Sequence, residues 1–216
     1  MDNNDLRQHY NGIERAMKKV VYLSLGSNMG DREQNLRTAL DRLAGLGTLP
    51  AVSSFYETEP VDYAAQPWFL NCAAALETTL MPKQLLARTQ HIEQELGRRR
   101  GSLAPAPSRI KGPRPIDIDI LLFGRFIIDT AGLVVPHPAM HERRFVLDPL
   151  AEIAPEVRHP LLKLTVRQMR DAAAKSNQTV KRVAQPYWPN RAGNSLEADA
   201  SYSAGDEQER VSRGRF

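Results

Sequence analysis

The chain contains a single cysteine, Cys72, in 216 residues. It can therefore form no intrachain disulfide and no cysteine-based zinc site, and the apolar run around Cys72 predicts a buried, inert thiol. No apolar run approaches the ~20 residues of a membrane span. The N-terminus is polar and lacks the apolar stretch of a secretory signal. These absences lead to the expectation of a cytoplasmic protein with no membrane partner. The length could hold one domain or at most two small ones, and 42% hydrophobic residues suffice for one core. Residues 1–18 read as a polar extension. Residues 186–216 form a tail, and 192–216 are so rich in Gly, Ser, Ala, Asp, Glu and Arg that disorder is expected there. Tyr187 and Trp188 would anchor its start. The working domain is 19–185, without internal repeats.

Acidic residues are missing from one further place. Residues 97–114 hold Arg98, Arg99, Arg100, Arg109, Lys111 and Arg114 and no Asp or Glu. Against a net charge of +4, these six cations leave the remainder of the chain at −2. The high isoelectric point is thus a local basic cluster and not a general basic coat. Directly after it comes Asp117-Ile118-Asp119, in a run alternating with β-branched residues that predicts a strand. Residues i and i+2 of a strand share a face, about 6.5 Å apart, so both carboxylates project together, with Ile116, Ile118, Ile120 and Leu122 opposite them in the core. Two such carboxylates repel unless a cation lies between them. Acids on strands are commonly just solvated, but a basic flank beside an oxygen-ligand pair suits a polyphosphate complexed with Mg²⁺.

The apolar pattern gives strands over 20–25, 52–58, 69–78 and the acid pair, with a short hairpin around Gly124-Arg125. A helix starts at Asp31 with a capping box to Gln34 and carries Leu36, Leu40 and Leu43. A second begins at Pro82, with core residues Leu85, Ile92 and Leu96. Gln90 and Glu93 share a face leading to the arginines. The order strand, helix, strand, strand, helix, strand predicts an α+β, ferredoxin-like fold, an antiparallel sheet with helices on one face.

Leu25-Gly26-Ser27-Asn28, Tyr56-Glu57-Thr58-Glu59-Pro60, Phe69-Leu70-Asn71, the block from Gly112-Pro113-Arg114 through Asp117-Ile118-Asp119-Ile120-Leu121, and Val135-Pro136-His137-Pro138-Ala139-Met140-His141-Glu142-Arg143-Arg144-Phe145 occur in that order. Together they strongly resemble the 6-hydroxymethyl-7,8-dihydropterin pyrophosphokinase family of folate biosynthesis, over about 20–160. The resemblance implies transfer of a whole pyrophosphoryl group from ATP to the pterin hydroxymethyl oxygen, with attack at the β-phosphorus and release of AMP. It implies two Mg²⁺ ions held by Asp117 and Asp119. Arg98, Arg114 and Arg143 join the two acids as catalytic positions. Gln90, Glu93, Arg98, Arg114, Ile120, His137 and Arg143 match ATP-contacting positions. Thr58, Val61, Phe69, Asn71 and Phe145 match the pterin site, with the ring between the two phenylalanines. The partners implied are small molecules, with no nucleic acid, and a monomer is expected. Two departures stand out: Lys111 where many members carry an aromatic residue, and a longer loop from Arg100 to Lys111 containing Pro105 and Pro107.

Two other classes share parts of this pattern. Asp-x-Asp also occurs in metal-dependent glycosyl- and nucleotidyltransferases, which the Pro-His block argues against. Ferredoxin-like sheets also bind RNA, but the aromatic-rich strand signature of that use is missing. The composition of the two ends generates a first prediction. Removing residues 1–15 and 192–216 should leave the melting temperature nearly unchanged, as read by thermal denaturation of the truncated and full chains. A large fall would show that one end docks.

Overall fold

The computed structural model describes residues 18–61, 66–98, 112–174 and 178–184. The sequence expectations for residues 1–17, for Arg99, Arg100, Arg109 and Lys111, and for the tail lie outside them.

Strands β1 (Lys19–Ser27), β2 (Thr48–Val52), β3 (Phe55–Thr58), β4 (Phe69–Thr78) and β5 (Asp117–Phe123) alternate with helices α1 (Arg32–Ala44) and α2 (Pro82–Glu95). A hairpin of β6 (Ile128–Thr130) and β7 (Leu133–Val135) follows, then a 3₁₀ turn (Met140–Glu142), α3 (Arg144–Ile153), α4 (Val166–Ala173) and β8 (Val180–Ala184). The antiparallel main sheet runs β5-β1-β4-β3-β8, with β2 on the same edge of β4 as β3. With β1 and β4 adjacent in the interior of the sheet, β5 at the edge beside β1 and β3 beside β4, this is the ferredoxin-like α+β arrangement.

Side-chain parity sorts the core. Val21, Leu23 and Leu25 of β1, Cys72, Ala74 and Leu76 of β4 and Ile118 and Ile120 of β5 pack with Leu36, Leu40 and Leu43 of α1 and Leu85 and Ile92 of α2. The predicted helix pair therefore shares one face. Ala73, Leu121 and Leu122 pack on the other face against Val146, Leu147 and Leu150 of α3 and Met169 of α4. That second cover removes the open sheet surface an RNA platform would need. Burial holds the Cys72 thiol far above its usual range, so it stays protonated.

The structure departs from the sequence reading at four points. Leu122 is not on the Ile118 face: the pairing passes from Tyr22↔Leu122 to Leu23↔Ile120, so Leu121 is an extra residue. That bulge flips the parity and returns Phe123 to the first core. The strand expected over 52–58 is broken at Ser53-Ser54. Ser53 Oγ accepts the Ala73 amide at 2.9 Å, and the Ser54 amide turns to the Glu152 carboxylate of α3 at 3.1 Å. Asp31 caps α1 by accepting from the Gln34 amide at 3.0 Å, but the Gln34 side chain donates to Thr38 Oγ1 and does not close the box. The hairpin lies beyond Gly124, which only makes the turn after β5 with φ +52°.

The turn from α1 into β2 presses on the sheet. A Cβ at Gly47 would sit 2.1 Å from the Glu77 carbonyl oxygen, whereas one at Gly132 would meet nothing within 4 Å. Gly47→Ala should therefore cost about 1–3 kcal/mol, the usual range for overpacking. Gly132→Ala should be near neutral. Urea denaturation of the two variants checks the contrast.

Candidate active site

A cleft opens on the α3 face of the sheet. Strand register builds its floor. Gly26 pairs with Asp117 on one side and Asn71 on the other, and in the next row Ser24 pairs with Asp119. Residues directly opposite in an antiparallel ladder send their side chains to one face. The acid pair and the Asn71 amide are thereby fixed about two strand spacings apart, roughly 10 Å. Gly26 keeps the floor low between them: a Cβ there would lie 2.6 Å from Asn71 Oδ1.

At the acid end, Asp117 is buried and Asp119 half-buried. Arg114 Nη2 pairs with Asp117 Oδ2 at 2.6 Å, and Arg98 Nη1 pairs with Asp117 Oδ1. The same Arg98 nitrogen donates to Glu93 Oε1 at 2.5 Å. Glu93 is buried in α2 and its Oε1 also accepts the Ile118 amide at 2.8 Å. Burial works against the Arg98 cation, but the charges of Asp117 and Glu93 outweigh it and raise its pKa above the ordinary arginine range. His137 Nδ1 accepts from the Ala139 amide at 3.3 Å, which puts the neutral ring's proton on Nε2, 4.0 Å from Asp119 Oδ2.

At the opposite end, Asn71 Nδ2 donates to Thr58 Oγ1 at 2.7 Å. Phe69 and Phe145 line the cleft, and each ring carries an arginine: Arg114 at 5.1 Å from the Phe69 centroid and Arg143 at 5.6 Å from that of Phe145. Val61 lies at the exposed rim. Of the residues singled out in the sequence, Thr58, Val61, Phe69, Asn71, Arg114, Asp117, Asp119, Arg143 and Phe145 line this one cleft. Arg98, Glu93 and His137 stand behind its acid end. Gln90 lies on α2 one turn before Glu93 and does not line the cleft, and the Ile120 side chain points into the core.

Ser24, Gly26, Glu59, Pro60 and Gln66 line the cleft without having been singled out as site residues. Gly26 stood in a quoted motif, but only the register reveals its place between Asp117 and Asn71. Asn28 was also overlooked. Its side chain accepts the Arg114 amide at 2.7 Å and donates to Gln66 Oε1 and the Pro67 carbonyl, joining three loops.

Among the described residues no group of three or more His, Cys, Asp and Glu side chains could hold a metal alone. The pair Asp117 and Asp119 nevertheless fits Mg²⁺, which commonly takes one or two carboxylates and completes its shell with water and substrate phosphate. The two arginines gathered on Asp117 show how strongly this corner favours positive charge.

The family model for 7,8-dihydro-6-hydroxymethylpterin-pyrophosphokinase matches residues 22–155. A 2-amino-4-hydroxy-6-hydroxymethyldihydropteridine pyrophosphokinase of Bacillus subtilis is 50% identical over 144 residues, covering 65% of this chain and 81% of that protein. A folic acid synthesis protein of Dictyostelium discoideum is 41% identical over 155 residues, 72% of this chain but 22% of that much longer protein. Among solved structures, the HPPK-DHPS protein of Plasmodium falciparum superposes with a TM-score of 0.55 at 17% identity, over 71% of this chain and 43% of that one, a likeness of fold. These findings do not favour another Asp-x-Asp transferase. The chain belongs to the 7,8-dihydro-6-hydroxymethylpterin-pyrophosphokinase family, and its reaction is the pyrophosphate transfer to a hydroxymethyl pterin that serves folate synthesis.

Proposed function

We propose that the chain moves the β- and γ-phosphates of ATP as one unit onto 6-hydroxymethyl-7,8-dihydropterin, using the residues gathered in this cleft. One juxtaposition carries the reading: carboxylates and arginines meet at one end of a cleft whose other end is made of Phe69, Asn71 and Phe145. The pterin hydroxymethyl oxygen bonds to the β-phosphorus. The bond from that phosphorus to the oxygen bridging the α-phosphate breaks, AMP leaves with the electron pair, and the hydroxyl proton is released.

The flat pterin ring stacks between Phe69 and Phe145. Arg114 and Arg143, which lie over those rings, exchange the aromatic faces for phosphate oxygens. Asn71 spends one N–H on Thr58 and keeps its second N–H and its carbonyl oxygen for the ring edge. Backbone groups at Thr58 and Val61 complete that edge.

ATP lies along the outer edge of β5. The Ile118 amide faces that edge, where it meets Glu93. By the two-residue alternation of a strand, the amide and carbonyl of Ile120 face it too. Ile120 thus contributes its backbone while its side chain stays in the core. Gln90 and His137 flank the edge, and His137 Nε2 donates to a phosphate. Glu93 holds Arg98 and the strand in place.

Mg²⁺ bound by Asp117 and Asp119, two ions by the family resemblance, would neutralise the triphosphate and make the β-phosphorus more electrophilic. Arg98, Arg114 and Arg143 supply positive charge to the transferring group. We take the working form to be a cytoplasmic monomer, since both ends of the cleft are built by the same chain.

Two variants at opposite ends of the cleft test the assignment. Asp117→Asn or Asp119→Asn should lower Mg-dependent AMP formation by roughly 100-fold or more, as losses of transition-state charge stabilisation do; the melting temperature should be kept in Asp119→Asn and should fall in Asp117→Asn, which takes the shared carboxylate from Arg98 and Arg114. Near-normal turnover would remove the metal assignment. Asn71→Ala should weaken pterin binding by about 5–10-fold through lost hydrogen bonding, with little change for a non-hydrolysable ATP analogue. Equal calorimetric losses for both ligands would instead mean general damage.

A further inference from the structure

The family match ends at residue 155, yet the chain returns to the cleft well beyond it. Gln178 precedes β8 and grips the start of α3. Its Oε1 accepts the Arg144 amide at 2.9 Å and its Nε2 donates to the Glu142 carbonyl at 3.3 Å. Its own carbonyl accepts from Arg144 Nη1 at 3.2 Å. The one residue between those two backbone contacts is Arg143.

Elementary helix chemistry explains the grip. The first amides of a helix have no partner within it and need an outside acceptor. At α3 the N-cap position is Arg143, which has no side-chain oxygen to offer and makes no capping bond. Gln178 supplies the missing acceptor from a distant part of the chain. The residues it orders are cleft residues: Arg143 and, in the first turn of α3, Phe145. The same segment reaches the other wall. The Thr179 carbonyl accepts the Glu59 amide at 3.4 Å, and Val180 pairs with Thr58. Segment 178–180 therefore spans from the wall of Thr58 and Glu59 to the wall of Arg143 and Phe145.

We propose that Gln178 is a positioning residue for the pterin slot: by capping α3 from a distant part of the same chain it sets where Phe145 and Arg143 stand relative to the Thr58 wall. The inference rests on the reading of Phe145 as one side of that slot. Its consequence is specific. Loss of the side-chain amide lets the Phe145 wall drift and weakens pterin binding, while the outer edge of β5 is untouched.

A double-mutant cycle tests it, with fluorescence titration of the reduced pterin in the presence of a non-hydrolysable ATP analogue and Mg²⁺, and thermal denaturation alongside. Gln178→Ala should raise the pterin Kd by about 5–10-fold, the scale of one or two lost hydrogen bonds. Gln178→Glu keeps the acceptor at a helix N-terminus, where negative charge is favoured, and should recover most of that affinity. In a Phe145→Ala background the further loss from Gln178→Ala should vanish, because two residues acting through one wall are not additive. Unchanged pterin affinity in Gln178→Ala, with or without a lower melting temperature, would overturn the proposal and leave Gln178 a structural cap. So would an undiminished effect in the Phe145→Ala background. If Phe145→Ala alone left pterin affinity intact, the slot assignment itself would fall, and the proposal with it.

Discussion

Two carboxylates two residues apart on an edge strand create a demand for positive charge, and the architecture around β5 answers it. Their shared face is set by the pleat, so they cannot turn away from one another without breaking the strand. Arg98 and Arg114 close on Asp117, and His137 Nε2 lies 4.0 Å from Asp119 Oδ2. Glu93 anchors Arg98 from behind and also caps the Ile118 amide. The end of α2, the block before β5 and the loop after β7 are thus drawn to one point by electrostatics. Such partly buried pairing is costly to desolvate and gives little net stability. On the function proposed above, it is a site prepared for an ion and a polyanion.

The arginines connect this demand to the other substrate. Arg114 lies both against Asp117 and over Phe69, and Arg143 lies over Phe145. Cation–aromatic contacts of this kind are worth about 0.5–1 kcal/mol when exposed. That is weak enough to be exchanged for a charged phosphate. On the function proposed above, the cations that lie over the two rings are the ones that turn to the triphosphate. Asn28 ties the loops that carry this exchange, holding the Arg114 amide and Gln66 at once.

The acids, the arginines and the two phenylalanines were readable from residue type, period-2 alternation and ordered motifs, and so was the βαββαβ order of elements. What the sequence withheld has definite causes. The Leu121 bulge flips side-chain parity within an unbroken apolar run, so Leu122 looked like a neighbour of Ile120. Ser53 and Ser54 end a strand through bonds to Ala73 and Glu152, partners 20 and 98 residues away that no local pattern announces. Gly26 matters because of its two register partners, which lie on different strands. Gln178 completes a helix cap 34 residues before it in the chain, so nothing near it in sequence hints at the task.

The central claim is that Asp117 and Asp119 hold the metal which delivers the triphosphate. The most direct measurement is a crystal structure of the protein with a non-hydrolysable ATP analogue, the pterin and Mn²⁺ in place of Mg²⁺, read by anomalous scattering. The account predicts Mn²⁺ peaks within about 2.2 Å of oxygens from both carboxylates and of phosphate oxygens, with Arg98 and Arg114 displaced from Asp117. Mn²⁺ bound to phosphate alone, with Asp117 still paired to both arginines, would contradict it.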